Sequence, residues 1–479
     1  MLTVAVLGVL HVSPYRPHPL NDPMTSVQWA REASIGILAM VFVTAGFLVA
    51  LREAWRGHIP LGRVIRLGIL FQAIAIFLPV LLSRDVYSYA MYGRMLSVYH
   101  TNPYLATPID FPKDALLSSV GPLWRDSRTV YGPVFSLLSG LIAAVVRTPH
   151  DLALAFKAVS GAAAIGTMIL AADLAKRLWP ERAPFAAAVI GWNPVVLFQV
   201  IGGGHNDSLI SLAVLIALRL LVPDASGETT LRRELLATGV LTVATLIKAI
   251  AVLPLGLLVV VAVARRPSHE RTQRLLAHFG LVLGISMAFA LPFMQSKNPT
   301  LGIVDLTSHA EWPALPLFIR SVLSQVANVV VGHEAGFLLR VLTQVGFLAV
   351  FTLAFVWVAS QLARRAPNLS VEAQGAAWGW AFLLFMLTIP QLLPWYVMWM
   401  LPLVWLMPKI PRLTIVAMSV VLGISTGLGM PAPPPGFLHG LMILGHYTLP
   451  PALLVLLVLL VVHLRRVVTQ GRPLEAEVV

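Results

Sequence analysis

Apolar residues occur along most of the chain in blocks of roughly membrane-spanning length. Short joints rich in charged residues, proline or glycine separate these blocks. A helix needs about 20 apolar residues to cross the hydrocarbon core of a bilayer, so the pattern predicts a bundle of transmembrane helices. Residues 1–12 are apolar but short and can add one span, which gives about 13 or 14 membrane helices. The other candidate spans are residues 34–51, 67–82, 152–173, 184–201, 208–221, 235–247, 249–264, 275–293, 336–361, 374–389, 394–407, 413–430 and 437–463.

The composition agrees with this pattern. Of the 479 residues, 58% are hydrophobic and only 11% are charged, whereas a soluble chain carries about 25% charged residues. Such a chain has too little polar surface to cover a core in water. We therefore predict an all-α, polytopic transmembrane fold. The sequence has no cysteine, which excludes disulfides, thiol catalysis and thiolate metal sites.

The charged residues indicate how the helices are oriented. The net charge is +13, but the Arg and Lys residues lie in short joints between apolar blocks, which is typical of cytoplasmic loops and not of a nucleic-acid-binding face. Segment 131–146 decides the topology, because a crossing there would move every later basic joint to the outer side. We interpret this segment as lying along or dipping into the outer leaflet, which keeps the later joints in the cytoplasm.

This orientation collects the polar loops at one membrane face. Residues 83–129, the turn 202–208, Lys248, the loop 295–335 and the turn 390–396 all fall on the extracytoplasmic side. Binding and catalytic residues commonly lie on loops that a rigid scaffold positions. The sequence therefore predicts a functional site at the outer face.

The first outer loop carries a candidate catalytic carboxylate. Asp85 follows a span and begins a tyrosine-rich, amphipathic segment, residues 83–99, which predicts a helix in the membrane interface. A carboxylate can take the proton of an acceptor hydroxyl during glycosyl transfer. A phosphate leaving group needs nearby cations, and Arg84, Arg94 and Lys248 lie on the same predicted face. The alternative is that Asp85 caps the helix and pairs with one of the two arginines.

Two further polar positions interrupt apolar sequence. His205, Asn206 and Asp207 follow three glycines and can bind sugar hydroxyls, phosphate or a metal, or can simply cap the next helix. Lys248 lies inside the apolar block 235–264, where a charge costs about 2.5–3.5 kcal/mol. Two short helices meeting at Lys248 would place its ammonium where it can hold a donor phosphate. The alternative is a lysine that extends to the headgroups.

Aromatic and acidic residues in the later loops are weaker candidates. His309, Glu311 and Trp312 lie in the loop 295–335 and can line a sugar pocket, or Trp312 can anchor the interface. Trp395 and Tyr396 fit an aromatic belt and a helix start better than ligands.

Five motifs occur in the order found in one known family: RDVYSYAMYGRMLSVYHTNPY, GPLWRDSRTVYGPVF, GGGHNDSL, LIKAIAVLPL and QLLPWYVMWMLPL. The chain thereby resembles bacterial polyprenol-phosphate-mannose-dependent alpha-(1->6)-mannosyltransferases of the GT-C superfamily. The resemblance covers most of the chain and implies a GT-C fold with Asp85 as the catalytic base. It also implies substrate-binding roles for His205, Asn206, Asp207 and Tyr131.

We therefore predict a catalytic transmembrane module at residues 1–294, with the outer loop 83–133, followed by a C-terminal module at 295–479. The expected reaction transfers a hexose, mannose by the resemblance, from a polyprenyl-phosphate donor to a glycan or glycolipid. It would occur at the outer face of a bacterial inner membrane and invert the anomeric carbon. No metal or cofactor is predicted, with a divalent cation as the alternative. The rival function is a secondary transporter or lipid flippase, although we find no internal repeat of the kind typical of transporters.

Overall fold

The computed structural model describes residues 26–80, 82–223, 229–294, 314–330, 336–425 and 437–469. It is 80% helical, and these residues contain no β-strand. The helices are α1 (Ser26–Trp55), α2 (Leu61–Phe77), α3 (Asp85–Ser97), α4 (Pro133–Val145), α5 (Pro149–Leu178), α6 (Ala183–Gly191), α7 (Asp207–Leu221), α8 (Leu231–Thr245), α9 (Val252–Ala264), α10 (Ser268–Ala290), α11 (Leu315–Val330), α12 (Gly336–Arg365), α13 (Val371–Thr388), α14 (Lys409–Ser425) and α15 (Phe437–Thr469).

Among the described residues, four stretches are long and apolar enough to cross a membrane: Leu38–Trp55, Pro149–Leu178, Ser268–Phe293 and Val341–Asn368. A π-helix, Val195–Ile201, follows α6 at an angle of 45°, and together they can form one broken span. The all-α membrane fold is thus confirmed. The number of membrane helices stays a prediction, because several apolar elements among the described residues are shorter than a full crossing.

The block around Lys248 is divided as the sequence predicts. Helix α8 ends at Thr245, a short 3-10 turn covers Ala249–Ala251, and α9 begins at Val252. Lys248 itself has extended backbone angles between the two helices. Because Lys248 lies in this break, its charged side chain does not have to pack among the apolar side chains of a continuous helix.

One predicted element differs from the structure. Residues 394–407, predicted as an ordinary span, form two 3-10 helices, Pro394–Trp399 and Leu401–Leu406. Pro402 lacks the N–H that one continuous α-helix through this segment would require, which favours short 3-10 helices here. In helix α3, Tyr87, Tyr89 and Tyr92 are buried by neighbouring parts of the protein. The position of this helix in the membrane interface stays a prediction.

Candidate active site

Helix α3 carries Asp85 at its first turn and packs tightly against α4. A side chain at Gly93 would place its Cβ 2.2 Å from the Ser139 carbonyl oxygen, so only glycine allows this approach. At the start of α3, the backbone N–H of Asp85 donates to Ser83 Oγ over 3.2 Å. These contacts fix the start of α3, where the Asp85 side chain is 14% exposed.

Helix α4 in turn is joined to the segment that carries Lys248. The N–H groups of Gly132 and Val134 donate to the carbonyl oxygens of Ile247 and Leu246, over 3.1 and 3.0 Å. A Cβ at Gly132 would lie 2.1 Å from the Leu246 oxygen, so the YGP turn also requires glycine. The motif containing Tyr131 therefore connects the Asp85 helix to the break at Lys248.

The glycine-rich turn after the π-helix brings His205 into the same place. Gly204 has a φ of +65°, a left-handed conformation that glycine adopts without strain. A Cβ at Gly203 would lie 2.7 Å from the His205 ring. The glycines thus let the turn bend back and bury His205 completely beside α3.

His205 is the centre of one half of the site. Its Nδ1 lies 3.8 Å from Asp85 Oδ2 and 3.2 Å from the Tyr89 hydroxyl. The imidazole stacks on the Trp395 ring with 3.8 Å between ring centres. Its Nε2 has no hydrogen-bond partner among the described residues. This arrangement holds the histidine rigidly next to the candidate base.

Asp207 is the centre of the other half. Its Oδ1 accepts hydrogen bonds from Lys248 Nζ over 2.8 Å and from Trp399 Nε1 over 2.6 Å. The ammonium also lies 4.7 Å from the centre of the Tyr396 ring and 5.3 Å from that of Trp399. Ring faces attract cations, so the lysine is held by a buried carboxylate and two aromatic faces.

The two halves adjoin because His205 and Asp207 are two residues apart in one turn. The Asp85 carboxylate and the Lys248 ammonium are therefore both linked to this one turn, through His205 and Asp207. An ammonium has three donors, so the bond to Asp207 leaves donors for an anionic ligand. Asn206, between them, is buried, and its side-chain amide has no hydrogen-bond partner in the described part of the chain. A polar ligand can satisfy that amide.

The other predicted residues are placed differently. Tyr131 packs edge-on against Tyr89 with 4.9 Å between ring centres, so it forms part of the aromatic wall. Arg84 immediately precedes α3 as its N-cap residue. Residues His309, Glu311 and Trp312 lie outside the described residues, and their sugar-binding role stays a prediction.

Arg94 anchors the outer loop in this structure. Its Nε donates to Asp114 Oδ2 over 2.7 Å, and the Tyr99 hydroxyl donates to the same oxygen over 2.8 Å. Burial alone would raise the pKa of Asp114, but these bonds and one from the Leu116 N–H outweigh it and lower that pKa below its usual range. The structure thus shows a binding partner for Arg94 that the sequence did not predict, while its phosphate role stays untested.

Sequence reasoning missed three contributors to the site. Tyr89 hydrogen-bonds to His205, which is 116 residues away in the chain. Trp399 donates to Asp207, which is 192 residues away. The aromatic run PWYVMW was the available signal, but an interfacial belt has the same composition. Lys157 is 98% buried, donates to the Leu78 carbonyl and packs beside Gly204. It therefore connects the segment before Asp85 to the glycine turn.

Among the described residues, no group of three or more His, Asp or Glu side chains is arranged to hold a metal ion. The site offers instead a carboxylate, a histidine, an amide and a lysine set among aromatic rings. Those groups suit proton transfer, sugar hydroxyls and phosphate. An all-α membrane fold with this site is suited to glycosyl transfer.

Comparison with known proteins identifies the class. The family described as "Alpha-(1->6)-mannopyranosyltransferase, N-terminal domain" matches residues 1–265. The chain therefore belongs to this family, and the predictions of a GT-C mannosyltransferase family and of a glycosyltransferase enzyme are confirmed. Asp85, His205, Asp207 and Lys248 all lie within the matched region.

Curated relatives extend the similarity beyond that domain. The chain is 26% identical over 438 residues to alpha-(1->6)-mannopyranosyltransferase A of Mycobacterium tuberculosis, covering 87% of this chain and 77% of the relative. It is 27% identical over 362 residues to the corresponding enzyme of Corynebacterium glutamicum, covering 67% and 66% of the two chains. No solved structure matches the chain.

Proposed function

We propose that this protein transfers mannose from a polyprenyl-phosphate donor to a hydroxyl of a glycan or glycolipid acceptor. The observation that carries the proposal is the joining of Asp85 and Lys248 through one turn, with His205 3.8 Å from the first and Asp207 2.8 Å from the second. Names of the relatives support the sugar, since each is an alpha-(1->6)-mannopyranosyltransferase.

In the proposed reaction, the acceptor oxygen attacks the anomeric carbon of the donor sugar. The new C–O bond forms as the C–O bond to the phosphate breaks, and the electron pair leaves with the polyprenyl phosphate. Asp85 takes the acceptor proton. Lys248 and Arg84 stabilise the growing negative charge on the phosphate. A single displacement of this kind inverts the anomeric carbon.

The surrounding residues orient these groups. His205, fixed by Tyr89 and Trp395, positions the Asp85 carboxylate. Asn206 supplies a donor and an acceptor for the sugar. Asp207 holds Lys248 in the pocket.

We place the site at the extracytoplasmic face of the plasma membrane. Helix α4 has 13 residues and is about 20 Å long, which is shorter than the hydrocarbon core of about 30 Å. It is therefore suited to dip into one leaflet, and the basic joints that follow then lie in the cytoplasm. Family membership favours a transferase over the rival transporter or lipid flippase.

Purified wild-type protein in nanodiscs tests the proposal. Polyprenyl-phosphate mannose with radiolabelled sugar and a mannan-type acceptor should yield labelled product, and NMR of the product should show the inverted anomeric configuration. If only another polyprenyl-phosphate sugar serves as donor, the proposed mechanism stands and mannose is the wrong sugar. Lack of transfer from every such donor would refute the proposed function.

A further inference from the structure

Two arginines are buried together at one end of the bundle. Arg182 is the N-cap residue of α6, Arg412 lies in the first turn of α14, and each is only 6% exposed. Both guanidinium groups lie on the ring of Trp55 at the end of α1, with 5.5 and 4.0 Å from the guanidinium carbons to the ring centre. The ring of Trp179 lies 4.2 Å from the Arg182 guanidinium carbon. Segments that are distant in the chain thus bring two like charges to one aromatic surface.

Most of the hydrogen-bond donors of this pair are unused. A guanidinium has five N–H donors. Arg182 donates from Nη1 to the Trp405 carbonyl oxygen over 3.0 Å, and Arg412 donates from Nη1 to the Met407 carbonyl oxygen over 3.4 Å. The Nε and Nη2 atoms of both arginines have no partner among the described residues, yet none of these atoms is closed off from solvent. The pair therefore offers donors to a ligand that approaches from outside.

In the described part of the chain, no carboxylate pairs with either arginine. Glu181 precedes Arg182 but is exposed and forms no ion pair with it or with Arg412. The acidic residues near the ends of α1 and α5, Glu53 and Asp173, pair with other arginines. Buried charges in proteins are normally paired, so the two guanidiniums lack the counter-charge that their burial calls for.

The two charges also destabilise each other. Arg412 lies in the joint before the predicted span 413–430. Burial and then the neighbouring charge of Arg182 lower the pKa of the Arg412 guanidinium to about 10. The faces of the tryptophan rings attract cations but carry no net charge. An anion held by both arginines would oppose the burial cost and the repulsion together.

This pair lies at the end of the bundle opposite to the candidate active site. The broken span of α6 and the π-helix has Arg182 at its beginning, and the turn that carries His205 follows its end. In the proposed orientation the arginines therefore lie at the cytoplasmic face.

We propose that Arg182 and Arg412 form a binding site for a phosphate group at this second face. The planar fork of a guanidinium matches two phosphate oxygens, and the contacts with Trp55 hold both forks in place before a ligand arrives. The phosphate can belong to the headgroup of an anionic lipid or to a soluble phosphate compound, and the test separates these sources. The site is distinct from Lys248, so it does not depend on the proposed function.

Binding to delipidated wild-type protein in detergent micelles provides the test. Native mass spectrometry measures binding of phosphatidic acid and of diacylglycerol, which has the same chains without the phosphate. Equilibrium dialysis measures binding of radiolabelled inorganic phosphate. Binding of phosphatidic acid alone would identify a lipid headgroup as the ligand, and binding of inorganic phosphate would identify a soluble compound. Binding of neither, or equal binding of diacylglycerol and phosphatidic acid, would overturn the proposal.

Two substitutions of Arg412 locate the binding. Arg412→Gln removes a charged hydrogen bond and should raise the Kd of the phosphate probe by roughly tenfold or more. Arg412→Lys keeps the charge but loses the planar fork, so it should raise the Kd by roughly threefold or more. The lysine variant keeps a cation at this position and therefore serves if the glutamine variant does not fold. A wild-type Kd in the folded Arg412 variants would overturn the proposal.

Two controls separate this site from general charge attraction and from the active site. Lys409→Gln removes an exposed charge from the same joint and should keep the wild-type Kd. Lys248→Met combined with Asp207→Asn alters only the active site and should also keep it. An equal loss of binding in Lys409→Gln would show unspecific attraction to a basic surface, and a loss only in the active-site variant would place the phosphate there; either result would overturn the proposal.

Discussion

Replacing Lys248 with methionine leaves the Asp207 carboxylate without the ammonium that it contacts at 2.8 Å. Asp207 is completely buried and the lysine side chain is 13% exposed, so the remaining charge cannot be solvated by water. Removing one partner of a buried ion pair costs about 3–5 kcal/mol. Lys248→Met should lower the free energy of unfolding by that amount, and mannosyl transfer should fall as well.

A second substitution separates the stability effect from the catalytic effect. Asp207→Asn in the Lys248→Met background removes the unpaired charge, and the amide oxygen can still accept from Trp399 Nε1. The double variant should therefore recover most of the lost stability. Transfer should stay roughly tenfold to hundredfold below wild type, because the phosphate still lacks a charged hydrogen bond worth about 1.5–3 kcal/mol.

Unfolding by SDS titration in mixed micelles gives the stability difference, and initial rates with a polyprenyl-phosphate donor give the transfer difference. If the Lys248→Met protein were as stable as wild type, Lys248 and Asp207 would not be coupled as a buried ion pair. A double variant that regains full transfer would show that Lys248 serves only to neutralise Asp207.

Three further perturbations follow from the geometry. Gly93→Ala places a Cβ against the Ser139 carbonyl, so it should separate α3 from α4 and cost about 1–3 kcal/mol of unfolding free energy. Thermal denaturation measures this loss, and an unchanged melting temperature would contradict the close approach. Tyr89→Phe removes the hydroxyl 3.2 Å from His205 and should slow transfer by roughly fivefold through loss of about 1 kcal/mol, without a change in KM if the histidine only positions the base. Because the pKa of Asp114 is lowered on folding, its stabilisation is present above the unfolded pKa and is lost as pH falls through the folded pKa. Limited proteolysis of the outer loop should therefore accelerate at acidic pH in wild type and proceed quickly at every pH in Asp114→Asn.

The sequence predicted those parts of the site that interrupt a local pattern. Lys248 interrupts an apolar block, and the structure has two helices that meet there. Asp85 stands where a span ends, and it begins a helix in the structure. Three glycines before His205 indicated a close backbone turn, and Gly204 has the left-handed backbone conformation that such a turn needs. Each of these signals lies within a few residues of the feature it predicted.

The parts that could not be predicted depend on distant contacts. Burial of the tyrosines of α3 depends on the approach of Gly93 to Ser139 on α4, which a single sequence does not reveal. The bonds of Asp207 to Trp399 and of His205 to Tyr89 join residues far apart in the chain. One sequence gives no information on such pairs. The proposed division into modules at residues 1–294 and 295–479 remains a prediction.

In the proposed mechanism Asp85 accepts the proton of the attacking hydroxyl, and a comparison of two isosteric substitutions tests this role. Asp85→Asn removes the base, whereas Asp126→Asn changes an exposed carboxylate of the same outer loop. With equal folding by gel filtration and thermal stability, initial rates of mannosyl transfer from polyprenyl-phosphate mannose are measured for both. Asp85→Asn should be slower than wild type by roughly a hundredfold to ten-thousandfold, and Asp126→Asn should match wild type. Full activity in a folded Asp85→Asn protein would contradict the account.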